Sequence, residues 1–239
     1  MISTRKSRVT RIATAAVVCL LAALAVASVR SASGGAATRA PGPPPGHGHV
    51  SQSALAFHDA MRKLWEDHIT YTRNVIISFE LNDPNPDVVL PDLSTVVGRL
   101  LQNQVDIGNA IKPYYGEDAG NQLTALLKEH ITGAAQVLTA LKTNDQAGLE
   151  DAIAAWYANA HEIAVFLNSA NPRQWSLADM DQMMKDHLDA TTAEAVARHQ
   201  GDWQADVAAY DKVHEQILGM ADMLSDGIIA QFPAQFRPQ

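Results

Sequence analysis

The chain has a single cysteine among 239 residues, and only 6% of its residues are aromatic. Cys19 lies inside an apolar run near the amino terminus, so the rest of the chain has no disulfide bond. The sequence also lacks a phosphate-binding loop, a Gly-x-Ser-x-Gly elbow, a dinucleotide fingerprint and a His-Glu-x-x-His zinc motif. These absences leave no motif-defined enzyme class, and they predict that packing or a bound metal stabilises the fold.

Basic residues become scarce beyond residue 50. Residues 1–50 contain six Lys or Arg and no acid, which leaves 12 basic and 26 acidic residues in the remainder, a net charge of −14. A surface of this sign repels phosphate backbones and attracts cations. We therefore expect no nucleic-acid partner, and the charge identifies no protein partner.

The amino terminus has the pattern of an export segment. Basic residues at positions 5, 6, 8 and 11 precede an apolar run over residues 12–29. Residues 1–30 therefore form either a cleaved signal peptide or an amino-terminal membrane anchor that spans the bilayer through residues 12–29. Residues 31–52 are rich in Gly, Pro and Ala and predict a disordered linker. We expect an exported protein, secreted or held on the extracellular face of the membrane.

Beyond the linker, apolar residues recur every three or four positions without sustained alternation, which predicts helices throughout. Thr143-Asn144-Asp145 and Gly201-Asp202 are short breaks between long helical segments, and Ser176 with Asp179 resembles a capping box. Short breaks join antiparallel neighbours. The sequence therefore predicts an all-α, up-down bundle of six helices over residues 53–232, built from three repeated antiparallel hairpins and followed by a fraying tail over 233–239.

The repeat is visible in the residues themselves. Leu126-Leu127-Lys128-Glu129-His130 recurs as Met183-Met184-Lys185-Asp186-His187, and Leu64-Trp65-Glu66-Asp67-His68 is a looser copy. The second helix of two hairpins continues the pattern, with Tyr157-x-x-x-His161-Glu162 and Tyr210-x-x-x-His214-Glu215. For the last helix this spacing predicts an inward stripe that includes Val207, Tyr210, His214 and Ile217.

Four histidines fall on predicted core stripes at one depth. At a rise of about 1.5 Å per residue, His130, His187 and His214 lie about 20 Å from the same end of the bundle, and His68 lies at a similar level. Imidazoles from facing helices are ligands of bundle-core metal sites, and with carboxylates they suit Zn, Fe, Mn or Cu. The predicted metal ligands are His68, His130, His187 and His214, with His161, Asp106, Glu162 and Glu215 as flanking candidates that could orient the imidazoles.

Two alternatives remain open at this point. The histidines could satisfy one another and Asn103, Tyr71, Tyr157 and Tyr210 by hydrogen bonds, in a structural or protein-binding module of the cell envelope. A metal-dependent enzyme would also need an open coordination position, which a sequence does not reveal.

Two sets of residues resemble known families. Asp186-His187 with Glu194 seven residues later resembles a helix of small exported ferritin-like bacterial proteins of unassigned function. Leu64-Trp65-Glu66-x-His68, Trp156-Tyr157-x-Asn159-Ala160 and Gln231-Phe232-Pro233 are similar to an uncharacterised family of bacterial helical proteins, some of which carry a kinase name that no nucleotide-binding motif here supports. The resemblance implies a helical fold and no activity.

Overall fold

The computed structural model describes residues 51–81 and 83–237. Within these residues the chain is an all-α bundle of six helices, as the apolar spacing predicts. The helices are α1 Gln52–Phe79, α2 Leu93–Tyr115, α3 Glu117–Thr143, α4 Gln146–Ala170, α5 Leu177–Gln200 and α6 Trp203–Gln231. The predicted signal peptide or anchor and residues 31–50 of the predicted linker lie outside the described residues. None of the six helices is long and apolar enough to cross a membrane.

Side-chain caps begin four of the helices. Ser51, Asp145, Ser176 and Asp202 each accept a hydrogen bond from the backbone N–H three residues ahead, which satisfies an amide that the first turn leaves free. Asn144 and Gly201 end α3 and α5 in the left-handed conformation. The breaks predicted at Thr143-Asn144-Asp145 and Gly201-Asp202 are confirmed, as is the cap formed by Ser176.

The helices close into a ring. Each helix packs against its neighbours in the chain, and α6 packs against α1. Further contacts cross the interior between α3 and α5 and between α1 and α5. The first helix of each hairpin therefore lies nearer the centre of the bundle, and α1, α3 and α5 are the helices that carry the repeated motif ending in an acid and a histidine.

Helix α2 continues through Pro113 to Tyr115, because a proline in the last turn removes only one hydrogen bond. Two local predictions were wrong. The tail after residue 232 does not fray along its whole length, since Phe236 is buried and its ring lies 5.4 Å from Phe57 and 5.5 Å from Tyr114 between ring centroids. In α6 the stripe predicted to begin at Val207 is wrong, since Val207 is 52% exposed and the buried residues of that part are Asp206, Ala209 and Val213.

The buried stripe of α6 includes an ion pair with the neighbouring helix α1. Asp206, Ala209, Val213 and Ile217 are the buried residues of its first half. The carboxylate of Asp206 is an ion-pair partner of Arg73 on α1, at 2.8 Å. Because neighbouring residues in a helix diverge by about 100°, an inward Asp206 turns Val207 away from the core.

Candidate metal centre

Three of the predicted histidines meet inside the bundle, one from each hairpin. His68, His130 and His187 are 3%, 3% and 5% exposed. The ring of His187 lies 5.8 Å from that of His68 and 6.3 Å from that of His130, measured between centroids. The constant rise per residue along α1, α3 and α5, the first helices of the three hairpins, brings these side chains to one level. The packing of the hairpins into a ring turns them toward one another.

A side-chain amide from the second helix of the same hairpin contacts Nδ1 of each ring. Asn159 Oδ1 lies 2.9 Å from His130 Nδ1, and Gln216 Oε1 lies 3.1 Å from His187 Nδ1. The first hairpin departs from this arrangement, because there the hydrogen-bond partner of His68 Nδ1 is the amide nitrogen of Gln104, at 3.2 Å.

In each hairpin an amide nitrogen of the second helix binds the helix that carries the histidine. Asn159 Nδ2 donates to the carbonyl of Leu126, and Gln216 Nε2 donates to that of Met183. In the first hairpin Asn103 Nδ2 donates to the carbonyl of Leu64. In all three cases this carbonyl lies four residues before the histidine. One amide makes both contacts in the second and third hairpins, whereas Asn103 and Gln104 divide them in the first.

These hydrogen bonds decide which ring nitrogen carries the proton. Because the amide nitrogen of Asn159 is engaged as a donor, its oxygen accepts from His130 Nδ1, and the lone pair of that ring is on Nε2. The same argument applies to His187 and Gln216. An amide nitrogen can only donate, so Nδ1 of His68 accepts and the proton of that ring is on Nε2.

Burial keeps the three imidazoles neutral. It lowers the pKa of His130, with help from the neighbouring His187, to about 3, and it lowers that of His187 to about 4. Burial and the two neighbouring rings hold the pKa of His68 well below its ordinary value. A neutral imidazole is the form that binds a metal, so two of the rings offer a lone pair on Nε2 at neutral pH.

The three rings line a common internal cavity of about 30 Å³. Its remaining walls are apolar or aromatic, and they include Trp65, Leu127 and Met184, which each lie three residues before one of the histidines. A second cavity, of about 70 Å³, is lined by Thr72, Ala134 and Thr191, which each lie four residues after one. The histidine layer thus separates two small apolar spaces, and no carboxylate of the described residues lines either of them.

His214 and His161, the other two predicted histidines, do not belong to this layer. The side chain of His214 is 39% exposed, and its Nε2 lies 2.9 Å from Glu66. The rotation of α6 that buries Asp206 and Val213 places His214 at the rim of the bundle. The side chain of His161 is 57% exposed and lies 2.8 Å from Asp181. Both histidines form ion pairs at the surface when protonated.

The predicted acidic partners are also away from the rings. Glu162 and Glu215 are exposed, and the half-buried Asp106 accepts from Gln102 on its own helix. Amides occupy the positions expected of these carboxylates, because an amide fits an apolar interior without the cost of burying a charge.

The amides were missed in the sequence, although a signal for them exists. His130 and Asn159 are 29 residues apart, and so are His187 and Gln216. His68 and Gln104 are 36 residues apart because the loop after α1 is longer. Aligning the hairpins for amides as well as for imidazoles would have identified the pairs.

A buried ion cluster was missed as well. Arg73 on α1 lies 2.6 Å from Glu194 and 2.8 Å from Asp206, and both carboxylates are 1% exposed. Arg198 lies 3.4 Å from Asp206. Glu194, the last residue of the segment that resembles a ferritin-like helix, lies in this cluster, where it helps to join α1, α5 and α6.

Among residues 51–81 and 83–237, no group of three or more His, Cys, Asp or Glu side chains has the arrangement of a formed metal site. No protein-family model, curated protein or solved structure matches the chain. The resemblance to exported helical families therefore stays a prediction, and the histidine layer itself is the feature from which a function can be inferred.

Proposed function

We propose that this protein is an exported or membrane-tethered helical bundle that binds one transition-metal ion between His68, His130 and His187. The single observation that carries the proposal is the meeting of three buried, neutral imidazoles, one from each hairpin, around one internal cavity. An imidazole bound to a metal normally donates its other N–H to a fixed acceptor, and the amides of Asn159 and Gln216 are such acceptors for two of the rings.

The distances between the rings suit an ion after a small movement. A metal–nitrogen distance of about 2.0–2.1 Å puts the centroids of two imidazole ligands roughly 5–6 Å apart. For the two pairs that include His187, the separations of 5.8 and 6.3 Å require a shift of about 1 Å or less, and the rings would rotate to aim Nε2 at a common point. The cavity of about 30 Å³ has room for an ion or one water molecule.

Binding through His68 requires its proton to move from Nε2 to Nδ1. The acceptor that this tautomer needs is present, because Oε1 of Gln104 is buried without a hydrogen-bond partner among the described residues. Rotation of the Gln104 amide would present this oxygen to Nδ1–H, and it would break the hydrogen bonds that Nε2 of Gln104 donates to the carbonyl of Leu100 and to Oδ1 of Asn103. An unsatisfied buried oxygen costs about 1–3 kcal/mol. The new hydrogen bond from Nδ1–H to Oε1 therefore offsets part of the free energy that is lost when Nε2 of Gln104 leaves its present partners.

The test compares two double variants of the purified protein. His130→Ala with His187→Ala removes two proposed ligands, and His161→Ala with His214→Ala removes two exposed histidines as the matched control. We expect one equivalent of metal by elemental mass spectrometry in the wild type and in the control. At about 100 times its Kd, the metal should stabilise them by about 2.7 kcal/mol. This corresponds to a rise in Tm of about 5–10 °C for a domain of this size.

Circular dichroism of each variant establishes that it is folded before metal is added. The proposal is wrong if the wild type binds none of Zn, Fe, Mn or Cu. It is equally wrong if the layer variant remains helical and binds metal as the wild type does.

A structural role is the second candidate, and the proton of His68 favours it. With Nε2–H on His68 and a lone pair on Nε2 of the neighbouring His187, a small movement of the rings would join these two by a hydrogen bond, which leaves Nε2 of His130 as the one ring acceptor without a partner in the layer. A layer of this kind fixes helix register in an envelope protein. It predicts that the layer variant loses stability to the same extent with and without metal. A metal-dependent enzyme is the remaining alternative, and it would require a substrate to reach the ion.

The export part of the proposal has its own test. Residues 1–30 carry the basic flank and the apolar run on which it depends. The intact mass of the protein from the membrane and from the medium should show either the full chain in the membrane or a chain shortened near residue 30. Recovery of the full-length chain from the cytosol alone would reject export.

A further inference from the structure

The walls of the histidine cavity contain four sulfur atoms and no negative charge. Met61, Met183, Met184 and Met220 line the cavity beside the three imidazoles, and each is less than 10% exposed. No Asp or Glu of the described residues is among the lining side chains. These facts bear on which ion the proposed site takes, so the inference below rests on the proposed function.

Charge is the first criterion. Three neutral imidazoles do not offset the charge of an ion, and the surroundings are apolar. The cost of moving an ion from water into such surroundings rises with the square of its charge, so it is about four-fold larger for a divalent than for a monovalent ion of the same size. Zn, Mn and Fe(II) sites in helical bundles normally include carboxylates, which reduce this cost. The cavity thus favours a monovalent ion.

Ligand softness is the second criterion. Thioether sulfur is a soft ligand that selects Cu(I), and imidazole binds copper as well. Met184 is the lining methionine nearest in sequence to one of the histidines, because it lies three residues before His187 and therefore about one turn from the histidine layer on the same side of α5. The equivalent residues of the other hairpins, Trp65 and Leu127, line the same cavity and have no sulfur.

We propose that the ion is Cu(I), held by the imidazoles of His68, His130 and His187 and approached on one side by the thioether of Met184. Three ligands arranged around the centre of a ring of three hairpins give a trigonal site. The apolar walls exclude the water that would favour a divalent ion.

The test is an anaerobic competition experiment on the purified full chain. Cu(I) is titrated against a coloured Cu(I) chelator, and Zn(II) is titrated against a zinc indicator. The variant is Met184→Leu, and the matched control is Met180→Leu, because Met180 is fully buried on the same helix and does not line the cavity. We expect tighter binding of Cu(I) than of Zn(II), a loss of about ten-fold in Cu(I) affinity in Met184→Leu, and no loss in Met180→Leu.

The outcomes separate this inference from the proposal on which it rests. Zn(II) bound at the histidines as tightly as Cu(I) would overturn the copper assignment and leave the metal-binding function in place. No binding of any ion would reject both. Equal Cu(I) affinity in the wild type and in Met184→Leu, with no sulfur neighbour in the copper X-ray absorption spectrum, would overturn the thioether contact.

Discussion

Replacing Glu194 by Gln should change how the stability of the protein depends on pH. Glu194 and Asp206 are both 1% exposed, and they share the guanidinium of Arg73. Burial raises the pKa of Glu194 to about 7 from its ordinary value of 4.5, and the attraction of Arg73 does not offset this effect. A glutamine at this position would have the shape and neutral charge of the protonated side chain, so the variant isolates the titration of this one group.

The sign and size of this change in stability with pH follow from proton linkage. Between pH 4.5 and 7 the folded state holds a proton on Glu194 that the unfolded state releases, so stability falls as pH rises through this window. Each unit of pKa difference corresponds to about 1.36 kcal/mol, so the wild type should lose about 3 kcal/mol relative to the variant between about pH 4 and pH 8. Titrating groups remote from Glu194 contribute equally to both proteins and cancel in the difference.

The assay is urea unfolding followed by circular dichroism, with wild type and Glu194→Gln measured at intervals of about half a pH unit. The free energy of unfolding of the wild type, taken relative to that of the variant, should decrease steadily between about pH 4.5 and 7 and then level off. A difference that does not depend on pH would show that Glu194 titrates normally in the folded state. A wild type that gains stability relative to the variant as pH rises would show that Arg73 outweighs burial.

Two further predictions concern packing and a buried amine. Gly227→Ala should lower the free energy of unfolding by about 2 kcal/mol, because the new Cβ would lie 2.2 Å from Nε1 of the buried Trp175. In the control Gly219→Ala, on the same helix, the new Cβ meets no atom within 4 Å, and this variant should be more stable by about 0.5–1 kcal/mol. Thermal unfolding of the two variants checks this, and equal effects would contradict it. Lys142→Met should lower the free energy of unfolding by about 2 kcal/mol, because the fully buried ammonium donates to one backbone carbonyl at the end of α1 and to another in the following loop. Lys128→Met is the control, an exposed position on α3, and it should change stability by less than about 0.5 kcal/mol. Faster hydrogen exchange in residues 80–91 of Lys142→Met alone would support this role of the ammonium, and unchanged exchange would refute it.

Local features of the chain were readable without a structure. The apolar period, the capping residues and the breaks at Asn144 and Gly201 act within a few residues, so they predict where helices begin and end. The common depth of His68, His130 and His187 follows from the constant rise per residue, which makes distance along a helix a simple count.

The direction in which a side chain faces is decided by the partner helix. The inward side of the first half of α6 depends on the contact between Asp206 and Arg73, which are 133 residues apart, and this contact places His214 at the surface and Gln216 against His187. Apolar periodicity does not reveal such a contact, because buried charges interrupt the very stripe that defines the period. The amino-acid sequence by itself thus determined six helices and a shared level for three imidazoles. Only the packing of the hairpins into a ring decided which polar groups face one another, because that choice depends on pairings between distant residues.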